Sequence, residues 1–389
     1  MSFVKEARAD TFYVPDQYLT IQDAINSSSN GDIIKVNTTA ELYRENIVVN
    51  KEIRLVVDPV IDAMGGIEIT VEASNVSVEN FTILNASKGI YAHNTSFILQ
   101  NVTINNCTIY NCTYYPGYGI EFNKVNESLI NNTQVNNTNY SIRLSYSSYN
   151  TITNNNVVSN YDDGIWLCFS TNNTISNCNV YSNNDDGIWI EKSSDNTITY
   201  SNIYNNTDDG IVAYEASNTQ VHYCNIYGNA DYGIYNYNEE KVYQVDATYN
   251  WWGHASGPYH PTLNPFGKGD NVSKNVLFKP WLEAPYEISL TVSVVKPRNA
   301  LYIFDREIIS LRIPVIIGGI TIEATASSTI GIEKVEFYID NVLKFTDTSE
   351  PYSWKWDERA IGMHEIKVIA YNSIAQTAED RINVFIINF

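Results

Sequence analysis

The chain has 389 residues, 44 % of them hydrophobic, which is enough to fill a large core and too many for global disorder. Its formal net charge of −20 argues against nucleic acid and anionic membrane surfaces as partners, and leaves neutral glycans, divalent cations and cationic surfaces open. No apolar run approaches the roughly 20 residues of a membrane span.

Met1 to Asp10 carries no hydrophobic signal core. Ala7-Arg8-Ala9 matches the small-x-small end of a cleaved export signal, and chance explains the match equally well. Tyr18 to Ser29 reads as a short amphipathic helix, followed by Asn30-Gly31 and a strand from Asp32 to Val36. Such a segment would cover the open end of a solenoid.

A repeat dominates the middle of the chain. Asp163-Gly164-Ile165-Trp166, Asp186-Gly187-Ile188-Trp189 and Asp209-Gly210-Ile211-Val212 stand in register, and Gly164, Gly187, Gly210 and Gly233 are each 23 residues apart. Walking backward, Ser141, Gly119, Gly89 and Gly66 fill the same slot at intervals of 23, 22, 30 and 23. One coil therefore carries an extra loop, centred on Tyr114-Tyr115-Pro116-Gly117. No helical periodicity runs through the units. Short alternating stretches of Ile, Val, Thr and Tyr between Asn, Ser and Asp predict three strands per coil.

Stacking the units gives interior files. One runs Ile67, Ile90, Ile120, Ile142, Ile165, Ile188, Ile211, Ile234. A second runs Ile130, Ile152, Ile175, Ile198, Val221, and a third Val135, Val157, Val180, Ile203, Ile226. Each buried side chain should contribute roughly 1.5–3 kcal/mol. Asn150, Asn173, Asn196 and Asn160, Asn183, Asn206, Asn229 form files too, and amides stacked at about 4.8 Å can bond coil to coil. The five cysteines are odd in number and imply no full disulfide framework. Cys107, Cys178 and Cys224 share an inward slot and read as buried thiols, Cys168 faces outward in this grid, and Cys112 lies near the extra loop.

Ala247 to Gly253, with Trp251 and Trp252, brings two bulky aromatics to the last coil. From about Tyr286 the grid is gone, and short alternating strands such as Lys334 to Ile339 and Glu365 to Ala370 predict a β-sandwich.

The stretch Asn183 to Asn206, NNDDGIWIEKSSDNTITYSNIYNN, resembles the parallel β-helix repeats of the pectate-lyase-like superfamily, especially its NosD-like and carbohydrate-binding groups. TIQDAINSSSNGDIIKV resembles their capping helix and first strand. Val335 to Asp340 and Pro351 to Asp357 resemble bacterial and archaeal Ig-like modules. The expected fold is all-β: a right-handed single-stranded parallel β-helix with a short N-terminal capping helix (1–257), an end-wrapping segment and linker (258–285), and an Ig-like β-sandwich (286–389). The resemblance specifies fold more than activity, because these superfamilies host lyases, hydrolases, epimerases, binders and adhesins.

Two residues after each glycine lies an outward column: Glu68, Tyr91, Glu121, Arg143, Trp166, Trp189, Val212, Tyr235. Beside it stand Asp162-Asp163, Asp185-Asp186, Asp208-Asp209 and Asp231. Indoles and tyrosine can take the CH faces of sugars while carboxylates and amides meet their hydroxyls. Trp166 and Trp189 could equally serve only to pack the sheet face. The aspartates read as solvated turn residues, as a Ca²⁺ site, since hard cations take carboxylate oxygens, or as catalytic groups. No other cofactor or metal is indicated. In an enzyme, Asp163 or Asp186 would act as acid or base and Arg143 or Lys192 would stabilise developing charge. No Gly-His-Gly element of the polygalacturonase kind and no concentrated Arg/Lys patch of the uronate-lyase kind is present. The five scattered histidines and three methionines argue against a copper role.

Asn75, Asn101, Asn126, Asn172 and Asn271 open Asn-x-Ser/Thr triplets, as glycosylation or an Asn- and Thr-rich solenoid would produce. The reading is an extracellular or cell-surface protein, non-catalytic, that binds polysaccharide or glycoprotein glycan, with the Ig-like module as spacer or attachment. A polysaccharide-processing enzyme and a self-associating structural element are the alternatives.

Overall fold

The computed structural model describes residues 9–38, 42–57, 59–373 and 376–389. Ala7 and Arg8 of the small-x-small pattern lie outside them. The chain divides into two compact units, 1–286 and 287–389.

The first unit is a parallel β-solenoid of about ten turns. Its helix, Ile21–Ser27, starts where the Thr20 side chain accepts the Asp23 N–H at 3.0 Å, and it buries Ile21, Ala24 and Ile25 over the first coils. The strand after it spans Ile33–Val36. Among the described residues the coils build three long parallel sheets of 12, 8 and 11 strands. Their interior files are Ile104–Ile130–Ile152–Ile175–Ile198–Val221, Ile83–Ile109–Val135–Val157–Val180–Ile203–Ile226, and Ile90–Ile120–Ile142–Ile165–Ile188–Ile211–Ile234, all buried.

Asparagine holds the corners in two ways. Buried amides bond coil to coil, Asn150 to Asn173 at 3.1 Å, Asn173 to Asn196 at 3.2 Å, and Asn160, Asn183, Asn206 and Asn229 in series at 2.8–2.9 Å. Others turn the chain: Asn106, Asn132, Asn154 and Asn177 sit at φ 53°, 48°, 57° and 50°, a left-handed conformation that Asn tolerates better than most residues. All five cysteines are free and buried, Cys168 included; it lies 3.5 Å from Glu191 Oε2 rather than facing solvent.

One register differs from the sequence reading. Ile69, not Ile67, pairs with Ile90, so the chain near Gly66 is offset by two residues. Thr70 therefore occupies the outward slot beside Tyr91, and Glu68 moves out of that column to the inward slot beside Gly89. The 23-residue spacing misled because Gly66 serves the turn before the strand. Glu68 is fully buried, neither carboxyl oxygen has a hydrogen-bond partner, and burial followed by Glu45 and Asp62 pushes its pKa up to about 9.

The repeated glycine is a close-approach residue. A Cβ at Gly164 would lie 2.5 Å from the Gly187 carbonyl oxygen, and one at Gly187 would lie 2.6 Å from that of Gly210. Ser141 shows what a side chain there does: its N–H reaches the Asp163 carbonyl at 3.4 Å, against 2.9 Å for Gly164 to Asp186. We expect Gly187→Ala, which must spread two coils at once, to cost about 1–3 kcal/mol. Urea unfolding checks it, and an unchanged midpoint would refute the crowding argument.

At the far end Trp252 is fully buried on the last coil, and strands Pro258–Tyr259, Gly269–Val272 and Val276–Leu277 extend two of the sheets within the segment expected to wrap the end. The second unit is a β-sandwich of a seven-stranded and a three-stranded sheet among its described residues, closed over Tyr302, Phe337 and Trp356.

Candidate functional site

The expected strip lies on the 11-stranded sheet. Glu121, Arg143, Trp166, Trp189, Val212 and Tyr235 are consecutive partners in its ladder, so one column of outward side chains crosses five coil steps. Coils stack at about 4.8 Å. Trp166 and Trp189 are adjacent and half-buried, neither tucked into the core nor fully open. Their ring neighbours are tyrosines: Tyr140 at 5.6 Å from Trp166 and Tyr237 at 6.4 Å from Trp189. Both indole N–H groups are out of solvent contact and have no hydrogen-bond partner.

The cationic part of the column is already engaged. Arg143 donates to Glu121 Oε1 at 2.8 Å, and its guanidinium carbon lies 4.4 Å from the Trp166 ring and 5.2 Å from that of Tyr118. It covers part of Trp166 by cation–π contact. Lys88 takes the other Glu121 oxygen at 2.5 Å and sits 3.5 Å over Tyr91. Glu121, expected to meet a ligand, is 2 % exposed with both oxygens occupied, so it positions Arg143 instead. Lys192 is exposed on a turn beside Phe169 and Tyr214, away from this column.

The paired aspartates separate into two rows. Asp163, Asp186 and Asp209 are buried, at 5 %, 2 % and 6 % exposure, whereas Asp162 and Asp185 are half-buried and Asp208 and Asp231 exposed. The inner row is wired to the backbone of the next coil: Asp209 N–H donates to Asp186 Oδ1 at 2.9 Å, and Tyr232 N–H to Asp209 Oδ1 at 2.8 Å. Asp163 Oδ1 has no partner. Burial first, then the neighbouring carboxylates, raises these groups to about 9 for Asp163, about 8 for Asp186 and about 7 for Asp209, with the backbone N–H bonds pulling the other way. Asp185 is raised too, by burial and then Asp162 and Asp208. Burial thus favours the protonated form along the inner row, most strongly at Asp163 and least at Asp209.

Three overlapping triads bring carboxylate oxygens within 4.8 Å of one another: Asp162, Asp163, Asp185; Asp185, Asp186, Asp208; and Asp208, Asp209, Asp231. Their all-oxygen donor set suits a hard cation such as Ca²⁺, which takes 6–8 ligands and would draw the remainder from carbonyls or water.

The site expected from the sequence omitted the tyrosines around the indoles. Lys88, Tyr118, Tyr140, Asp163, Asp186, Asp209 and Tyr232 occupy one slot, two residues before the interior isoleucine. The slot was legible in the repeat, but only its aspartates drew attention. At the end of the column a cavity of about 480 Å³ is lined by Tyr232, Tyr235, Tyr237, Tyr259, His260 and Lys274, among others.

A parallel solenoid of three sheets, followed by a β-sandwich, defines a β-helix protein with an appended Ig-like module. Residues 4–142 and 100–248 match the family model described as right-handed beta helix region, more than half of the 389 residues, and the chain belongs to that family. Residues 315–368 match a bacterial Ig domain. No curated protein matches the chain. Among solved structures, full-length tailspike protein 2 from an Escherichia coli O157:H7 bacteriophage is 12 % identical with a TM-score of 0.52, over 97 % of this chain and 68 % of that one. The periplasmic alginate epimerase AlgG is 12 % identical with a TM-score of 0.44, over 70 % and 82 %. The fibronectin(III)-like modules of Clostridium thermocellum CbhA are 26 % identical with a TM-score of 0.21 over 29 % of this chain, which spans about half (51 %) of that structure. The tailspike likeness concerns the fold alone.

Proposed function

We propose that this is a secreted or cell-surface, non-catalytic protein whose 11-stranded sheet binds a neutral polysaccharide along the Trp166–Trp189–Tyr235 column, with the Ig-like unit as spacer or attachment. The observation that carries the reading is that column: three large aromatic side chains in one register, half-buried, beside a row of aspartates whose outer members reach solvent. Half-buried rings are rigid and amphipathic platforms for sugar CH faces. The outer Asp162, Asp185 and Asp208 supply hydroxyl acceptors. The acidic surface, with formal net charge −20, disfavours polyuronates.

Two features weigh against catalysis. The inner aspartates, including Asp163 and Asp186, are below the surface, and Asp186 is spent on a backbone N–H. Arg143 is held by its ion pair with Glu121 and by its contact with the Trp166 ring. The test is a neutral-glycan array read alongside a reducing-end assay on each retained polysaccharide. Retention without new reducing ends is expected. New reducing ends that disappear in Asp186→Asn would replace this reading by the enzymatic one, and retention of nothing would remove it.

A further inference from the structure

The aromatic column does not simply stop at the last coil. From Trp189 a chain of ring contacts leads on through Tyr237 at 6.4 Å, Tyr235 at 4.6 Å from Tyr237 and 83° to it, and Tyr232 at 4.9 Å from Tyr235. These last three tyrosines line the cavity of about 480 Å³. That volume falls within the roughly 300–1,000 Å³ of small-molecule sites.

The cavity sits where the regular ladder ends. The strand beyond Tyr232–Asn236 is Gly269–Val272, paired with a register shift, and beyond that, among the described residues, lies only Pro258–Tyr259. Tyr259, His260 and Pro261 rise from this final strand and the turn after it to wall the cavity. A polymer lying on the indoles and running toward the C-terminal end of the solenoid meets that wall.

The lining suits an uncharged, hydroxyl-rich ring. Tyr259 is 41 % exposed and Tyr237 53 % exposed, so both offer free ring surface. His260 Nδ1 accepts the N–H groups of Thr262 at 3.2 Å and Leu263 at 3.1 Å, which places the ring proton on Nε2; burial holds the imidazole below its usual pKa and therefore neutral. The charged groups there, Lys274 and Glu239, pair at 3.0 Å and cancel, which leaves donors and acceptors without a net charge for a carboxylate or phosphate to seek.

We propose that this cavity takes the terminal pyranose of a neutral glycan held on the strip, so that the protein recognises a chain end in addition to the chain interior held along the indoles. The proposal rests on the glycan-binding reading above and deepens it. Its test uses the full chain and short neutral gluco- and manno-oligosaccharides, each with both ends free, with the reducing end reduced to the alditol, or with the non-reducing residue capped as its 4,6-O-benzylidene acetal. Blocking one end is expected to weaken binding about tenfold or more, and Tyr259→Ala, at an exposed position, to produce a similar loss for the free-ended sugars with an unchanged melting curve. Long polysaccharide, held along the indoles, should remain retained by Tyr259→Ala. Retention of polysaccharide with equal affinity for free and blocked oligosaccharides would overturn the end-recognition proposal alone. Failure to bind any neutral glycan would overturn it together with the reading beneath it.

Discussion

The chain carrying Trp166→Ala together with Trp189→Ala is expected to lose polysaccharide retention while its β-helix persists. Each indole contributes its ring as part of one platform, and aromatic contacts of this kind are worth about 0.5–1.5 kcal/mol beyond their area. About 1.4 kcal/mol is tenfold in affinity, so the pair is expected to cost roughly tenfold or more. The two residues are not equivalent, because Arg143 already lies 4.4 Å from Trp166 and covers part of its surface. Trp189→Ala alone should therefore weaken binding more than Trp166→Ala alone. The fold should survive, since the interior isoleucines at 165 and 188 are untouched and both indoles lie on the outer face. A matched control exists on another sheet. Tyr181, Tyr204 and Tyr227 stack face to face at 4.7 and 4.9 Å on the eight-stranded sheet, and Tyr204→Ala with Tyr227→Ala removes two aromatic side chains without touching the strip. Affinity electrophoresis of both double variants decides the matter. Equal losses would mean diffuse aromatic adhesion, and no loss from the tryptophans would remove the proposed platform.

The repeat made most of this architecture readable. A solenoid repays period counting because each coil contacts only its neighbours, so a column in the alignment is a column in space. The interior isoleucines from 90 to 234, the asparagine files and the pairing of Trp166 with Trp189 follow from that rule alone. The rule failed where a glycine kept the 23-residue spacing without keeping the register. Gly66 looks like the repeated glycine but belongs to a turn, so Glu68 was placed outside when it points in. Depth was harder to read than position. Glu121 and Arg143 share the column, yet one is buried beneath the other because a carboxylate can be withdrawn from water when two cations meet it. Asp162 and Asp163 are sequence neighbours with different exposures, set by where the turn ends and the strand begins. The end cavity was least legible. Its walls come from residues near 235 and near 260, brought together by a register shift beyond the last regular coil, where the period no longer guides.

The buried acids make a stability prediction with a definite sign. Asp163, Asp186 and Asp209 have folded-state pKa values of about 9, about 8 and about 7, and Glu68 about 9, all above their ordinary values of 3.8 and 4.5. In the unfolded chain these groups release their protons first, so the folded state holds more protons across the interval between the two sets of values. Stability therefore falls as pH rises above about 4 and continues to fall until the folded groups themselves ionise. Each pKa unit is worth about 1.4 kcal/mol, and with the three aspartates sharing one field we expect on the order of several kcal/mol between about pH 4 and about pH 8. Substituting Asp186 by Asn keeps an oxygen for the Asp209 N–H and removes one titrating site. Glu68→Gln does the same in the core, where its carboxyl has no partner to lose. Both variants should match the parent in mild acid and exceed it near pH 8. Chemical denaturation across that range, with EDTA present so that no divalent cation sits on the outer aspartates, measures the slope. A parent chain whose stability rises from pH 4 to pH 8 would mean that the inner row is ionised in the fold and compensated by something other than protons, and the picture of the strip as a protonated scaffold beneath a solvated acidic rim would fall with it.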